Sequence, residues 1–298
     1  MLTTNEKQQF IADGVIGPFK LYEPEIAKEI LRNIRKSNLN RHKMVFDNDV
    51  NYDRHLDIEA LAKHIGQKGI IDRLTGILGE NVLCWRTEFF PKFPGNKGTE
   101  WHQVRTYQYA NGTPMLEATK GEDSDIMDLT VWTAFTDTTI ETACMRFIPG
   151  THKAKYYDEA KIIDRKEGEY SPVISETGFY GYDFEEFKVD PNWLPEEQQH
   201  ISMEMKAGEF VIFTARCVHA SHPNISDRST RFAISSRYVP THVKVYPNID
   251  NFYAHGSSFN LNEYGCVLVS GKDDYHHNRM RDKDQNGNVF AELFTGNK

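Results

Sequence analysis

The strongest constraint on this chain is a change of pattern at Asn81. From there on, the apolar residues come in short aromatic and β-branched runs, at residues 82–90, 129–135, 210–213 and 232–239, separated by clusters of Gly, Pro, Asn and Asp. Runs of that length and composition, punctuated by turn formers, read as strands that bury themselves against one another. An all-β core is expected.

The first quarter has a different period. Thr4, followed by Glu6, Lys7, Gln8, Phe10 and Ile11, reads as a short capped helix that stops near Gly14. Residues 25–34 place Ile26, Ile30, Leu31 and Ile34 on one face, and residues 58–78 repeat that spacing. The expected organisation is one domain: a helical buttress over residues 1–80, a β core over 81–245, and a C-terminal extension over 246–298. Two long polar stretches, 111–125 and 151–199, are of the kind that serves as functional lids.

A formal charge of −8 argues against a surface built to neutralise phosphates, so nucleic acid is set aside as a partner. The most basic stretch, residues 275–283, reads as solvated surface. Cys84, Cys144, Cys217 and Cys266 are far apart and form no CxxC pair, which suits reduced thiols in a cytosol rather than a zinc knuckle or disulfide framework. No apolar h-region opens the chain and no run of eighteen apolar residues occurs, so neither secretion nor a membrane partner is indicated. A cytoplasmic location is expected.

Histidine placement carries the chemistry. His102 follows a predicted strand and a Pro-Gly turn, and His219 follows the run 210–213. Two neutral imidazoles at strand ends, distant in sequence, suit a facial iron site that leaves positions open for cosubstrate and oxygen. Arg231 lies twelve residues after His219, at the start of the next strand, where an antiparallel pairing brings it beside the histidine. Its planar fork suits the distal carboxylate of a dicarboxylate cosubstrate. A surface arginine remains the competing reading on spacing alone.

Seven stretches then carry a resemblance: NYDRHLD at 51–57, VLCWRTEFFP at 82–91, WHQ at 101–103, VWTAFTD at 131–137, FIPGT at 147–151, HAS at 219–221 and SRYVP at 236–240. The chain resembles the phytanoyl-CoA dioxygenase family, and within it the non-haem iron(II), 2-oxoglutarate-dependent halogenases of nonribosomal peptide pathways, of the syringomycin type. The resemblance implies a double-stranded β-helix (jelly roll) with helices packed against it. It also implies iron(II) on His102 and His219, with 2-oxoglutarate, chloride and O2 as the other participants. Arg231 would hold the distal carboxylate of 2-oxoglutarate, with Thr99 as a second contact and Trp132 beside them. Glu88 and Arg237 would form the polar network near the halide, although a structural ion pair on neighbouring strands explains them equally. Trp132 and Tyr107 would shape the pocket, or simply pack the core.

Hydroxylases of the family carry Asp or Glu two residues after the first histidine, and the halogenases carry Ala or Gly. This chain has Val104, which offers iron no atom. Chloride would replace the lost carboxylate with its charge preserved, which favours halogenation over hydroxylation. Valine also has nearly the shape of aspartate, so either a shift opens room for the halide or the site takes halide less readily than its relatives do. Arg105, where the syringomycin-type enzymes have an acid, either helps hold an anion or points to solvent. Tyr109 replaces a smaller amide. The implied reaction is chlorination of an unactivated aliphatic carbon by hydrogen abstraction and chlorine rebound. The implied substrate is an amino acid tethered to a peptidyl carrier protein, with a free amino acid as the alternative and the carrier footprint expected near residues 156–182. The rival readings are a hydroxylase or desaturase, and a silent barrel without turnover.

Overall fold

Thr3, not Thr4, caps the first helix. Its hydroxyl accepts from the Glu6 amide at 3.2 Å and its own amide donates to the Glu6 carboxylate at 2.6 Å, a closed capping box. Helix α1 (Thr4–Asp13) ends on Gly14 in the left-handed region, φ 75°. In the computed structural model, which describes residues 1–48, 50–105, 112–118, 128–158, 184–254 and 257–295, this turn leads directly into strand β1 (Val15–Lys20). The first quarter is therefore not wholly helical. A six-residue strand with Gly17 and Pro18 in it lacks a clear period of two, and its pairing decides its conformation.

Helices α2 (Pro24–Asn38), α3 (Glu59–Ile65) and α4 (Lys68–Leu78) follow. Ala27, Leu31 and Ile34 form the buried face of α2, whereas Ile26, assigned to that face from spacing, is exposed. The pattern over 58–78 is two helices, broken at Gly66 and Gln67.

The strands after α4 are β2 (Val82–Lys92), β3 (Leu116–Ala118), β4 (Leu129–Ala134), β5 (Met145–Phe147), β6 (Ile201–Met203), β7 (Glu209–Phe213), β8 (His219–Ser221), β9 (Arg231–Pro240), β10 (Val243–Val245), β11 (Asn251–Ala254), β12 (Ser257–Asn260) and β13 (Val267–Ser270), with helix α5 (Phe290–Thr295) near the end. They form a six-stranded antiparallel sheet in the order β1-β7-β4-β9-β2-β13 and a smaller antiparallel sheet in the order β6-β5-β8. His102 adds a single antiparallel bridge to His219 on β8, extending the small sheet by one position. This is the expected jelly roll. Its large sheet also recruits β1 from the expected buttress and β13 from the expected extension.

The period of two along β9 sorts its side chains. Phe232 and Ile234 pack outward on α2 and α3 with Leu31, Ile34 and Leu61, while Ala233 packs inward between the sheets with Trp132, Phe147 and Phe213. Arg231, Ser235 and Arg237 share the inward face by the same alternation. Each fully buried aromatic in the layer between the sheets contributes about 1.5–3 kcal/mol, so that layer both holds the sheets together and walls the interior. Among the described residues, no helix is long and apolar enough to cross a membrane. The four cysteines are buried and free.

Candidate metal centre

The bridge between His102 and His219 is two-way. The His102 amide donates to the His219 carbonyl at 3.0 Å, and the His219 amide donates to the His102 carbonyl at 3.0 Å. Directly opposed residues in an antiparallel pair project to the same face, and the two imidazole centroids lie 4.2 Å apart. Each Nδ1 sits close to a carbonyl two residues upstream, Glu100 at 2.8 Å and Cys217 at 2.7 Å. A carbonyl only accepts, so Nδ1 carries the proton in both rings and each Nε2 keeps its lone pair. This backbone support is what fixes a metal-binding imidazole in one tautomer.

Burial keeps both rings neutral. Phe184 stacks on His102 at 4.7 Å, and Phe147 and Phe213 flank His219 at 6.2 and 4.9 Å. Desolvation pushes His102 down to about 4 and holds His219 well below the usual imidazole range, His102 adding to the effect on His219 and the Arg237 guanidinium to the effect on both. Two neutral, oriented nitrogen donors fit a divalent transition metal.

Val104 follows two residues after His102, its amide bonded to the Ala215 carbonyl at 2.9 Å and its side chain on the edge of the main apolar cluster. Among the described residues, no group of three or more His, Cys, Asp or Glu is placed to hold a metal. Gln103 turns the other way, donating to the carbonyls of Thr151, Ala154 and Arg216 and accepting from the Tyr156 and Tyr157 amides. It is a strut for the His102 segment. Arg105 is half-buried and donates to the His152 carbonyl at 2.9 Å, so it is not simply solvated.

Arg231 lies on the inward face of β9 and is 2% exposed. It donates to the Ala143 carbonyl at 2.6 Å and to the Phe90 carbonyl at 3.4 Å, with its guanidinium 5.1 Å from the Trp132 ring centroid. Its Nε, also buried, has no acceptor among the described residues, and burial pulls its pKa down to about 9. A buried cation with an unused donor and no carboxylate among the described residues fits an anionic cosubstrate. Thr99 is tied to β8 through its amide, bonded to Ser221 Oγ at 3.0 Å.

Glu88 and Arg237 form an ion pair at 2.9 Å, and Arg86 approaches Glu88 at 3.7 Å. The sequence reading missed three polar neighbours on this wall. Thr130 lies opposite Arg237 and Ser235 opposite Glu88, both hydroxyls buried without a partner among the described residues. Asp128 accepts from the Trp85 indole at 2.9 Å and is pushed up to about 6 by burial. Counting two residues along β4 from Trp132, or along β9 between Arg231 and Arg237, would have found the hydroxyls. Tyr107 and Tyr109 lie outside the described residues, as does the expected carrier footprint from residue 159 on.

A jelly roll with two opposed imidazoles at the end of its small sheet defines the architecture, and the wider comparisons agree. The chain belongs to the phytanoyl-CoA dioxygenase family, whose model matches residues 10–233. It is similar to a solved structure described as CytC3 with Fe(II) and alpha-ketoglutarate, at 35% identity and a TM-score of 0.75, with 97% of each chain covered. It also resembles a probable alpha-ketoglutarate-dependent hypophosphite dioxygenase of Stutzerimonas stutzeri, 24% identical over 73% of this chain, and the dioxygenase lolE1 of Epichloe uncinata, 26% identical over 61% of it. The matches span 63% and 55% of the length of these two curated relatives.

Proposed function

We propose that this chain is an iron(II)- and 2-oxoglutarate-dependent halogenase that chlorinates an unactivated aliphatic carbon of an amino acid presented by a peptidyl carrier protein. The observation that carries the reading is Val104, a side chain without a donor atom in the position where a hydroxylase of the family places its third ligand. Similarity to a protein solved with Fe(II) and alpha-ketoglutarate supports the cofactor pair. Bound there with oxygen, iron and 2-oxoglutarate supply the oxidant for removing a hydrogen atom from carbon.

The residues divide the remaining work. His102 and His219 offer Nε2 from rings locked by backbone carbonyls, and so fix where the metal sits. Arg231, with Trp132 against its guanidinium, would take the distal carboxylate of 2-oxoglutarate, and Thr99 would be the second contact that the family resemblance implies. Phe147, Phe184 and Phe213 keep water from the imidazole pair. Glu88 and Arg237, joined to each other, form a net-neutral polar wall that leaves an added halide as the balancing anion. Where the pocket walls hold the substrate carbon relative to a bound halide would then decide between chlorination and hydroxylation.

The test is product analysis of the iron-loaded enzyme with and without chloride, using carrier-bound and free aliphatic amino acids. Chloride-dependent chlorinated product is expected, kept or improved in Val104→Ala and abolished in Val104→Asp, which gains hydroxylation. A Val104→Asp variant that chlorinates as well as the parent overturns the assignment. The dioxygenase names of both curated relatives favour one second reading, a hydroxylase or desaturase of a similar substrate, whose product would be indifferent to chloride.

A further inference from the structure

The interior charges of the large sheet are arranged unevenly. Near the imidazoles, Arg86 and Arg237 are matched by Glu88 and Asp128, and the wall is neutral. At the other end of the same strands, Lys92 on β2 lies directly opposite Arg231 on β9. Opposed residues share a face with Cβ atoms about 4.5–5.5 Å apart, so two cations face the same side. Both are buried, at 7% and 2% exposure. Lys92 Nζ donates to the Lys97 carbonyl, and Arg231 to the carbonyls of Ala143 and Phe90. Neither has a carboxylate partner among the described residues. Like charges placed directly opposite destabilise a strand pair, and burial increases the cost. Burial first and the Arg231 guanidinium second push Lys92 down to about 8.

We infer that Lys92 is the second cation of the anion pocket at the start of β9, and that with Arg231 it selects a 2-oxo acid bearing a distal carboxylate over one that lacks it. This rests on the reading of Arg231 given above and extends it to a residue on the neighbouring strand. The geometry makes the arrangement reasonable only when an anion arrives: a carboxylate between two buried cations relieves their repulsion and gains from both. Lys92 also holds the Lys97 carbonyl, two residues before Thr99, so the same side chain anchors the segment that carries the pocket's other expected contact.

The test is calorimetric binding of 2-oxoglutarate and of 2-oxobutanoate, a 2-oxo acid with no distal carboxylate, to the full chain loaded anaerobically with iron(II). Lys92→Gln is the informative variant, because its amide can still donate to the Lys97 carbonyl while the charge is gone. The expected result is a loss of 2-oxoglutarate affinity of about tenfold or more, with 2-oxobutanoate affinity unchanged and the ligand-free protein melting no lower than the parent. Lys92→Met repeats the comparison if the glutamine variant does not fold. Unchanged 2-oxoglutarate affinity in Lys92→Gln, or an equal loss for both ligands, overturns the inference. Arg231→Met separates the two claims: if it weakens 2-oxoglutarate binding and Lys92→Gln does not, Lys92 is only a structural anchor. If neither variant has an effect, the pocket itself is misassigned.

Discussion

His102 and His219 face each other across a two-way backbone bridge, and each ring is held by a carbonyl two residues upstream in its own segment. The mutual placement of the two imidazoles is therefore set by main-chain pairing between a loop and β8. With two protein donors and no spare among the described residues, His102→Ala and His219→Ala should each remove iron binding. Iron stoichiometry after anaerobic loading and gel filtration measures this, and full occupancy in either variant removes that residue from the site.

Arg231→Met should keep the fold and lose the cosubstrate. The methionine stem fills much of the buried volume beneath Trp132, so stability changes little, and removal of an unneutralised buried cation offsets the lost bonds to Ala143 and Phe90. Charge-assisted bonds to a carboxylate contribute about 2–3 kcal/mol, so the Kd for 2-oxoglutarate should rise roughly 30- to 150-fold. Direct binding, measured beside a thermal melt, separates this from unfolding; a Kd within threefold of the parent would exclude Arg231 from the pocket.

The long strands and both histidines were legible because strong local signals coincided there. β2, β4, β7 and β9 carry clustered aromatic and β-branched residues, and His102 follows its strand and turn as written in the chain. The small sheet was not legible, since β5, β6 and β8 are three residues each and three residues have no measurable period. β1 escaped for a related reason: Gly17 and Pro18 disfavour a strand locally, and pairing with β7 overrides them. Thr130 and Ser235 were legible only through the period of two, each standing two residues from Trp132 or Arg237 on the same face, because a strand hydroxyl by itself looks the same whether it faces helix or cavity. Lys92 passed unnoticed because its importance lies in standing opposite Arg231, and register is a property of two strands.

Asp53 gives a prediction in pH. It is buried between β2 and the Arg54–Leu56 turn, accepting from the Thr87 amide at 2.9 Å, with His55 at 4.0 Å. Burial pushes it up to about 7, against the pull of Arg86 and the Thr87 amide, with Glu88 raising it further. The folded chain thus keeps a proton that the unfolded chain surrenders near 3.8. The resulting stabilisation is complete below that value, declines as pH rises, and is gone above about 7. Asp53→Asn, which preserves an acceptor for the Thr87 amide, should remove this decline. Its stability relative to the parent should rise by on the order of 1–3 kcal/mol between pH 4.5 and pH 8. Urea unfolding at both pH values reads the difference directly; His55, depressed to about 3, contributes to both proteins alike. A constant gap would show that Asp53 stays ionised throughout.

Gly98 and Gly76 should respond to alanine in opposite directions. A Cβ on Gly98 would collide with the Ser221 carbonyl and press on the backbone of His222 and Pro223, all of them rigid β8 or its continuation. The 98–102 segment would have to withdraw from β8, loosening the Thr99 amide from Ser221 Oγ and the His102 bridge from His219. Overpacking of this kind costs about 1–3 kcal/mol, and here the displacement reaches an imidazole, so iron affinity should fall along with stability. Gly76 lies inside α4, and its added Cβ would meet the flexible end of Lys7 at 3.3 Å. That side chain can move, and alanine in a helix interior is favoured over glycine by up to about 1 kcal/mol. Gly76→Ala should therefore raise the melting temperature with iron binding unchanged. Thermal melts and iron titrations of the two variants together check the argument, and a Gly98→Ala protein that binds iron as tightly as Gly76→Ala would mean that the loop-to-β8 bridge does not set the metal geometry.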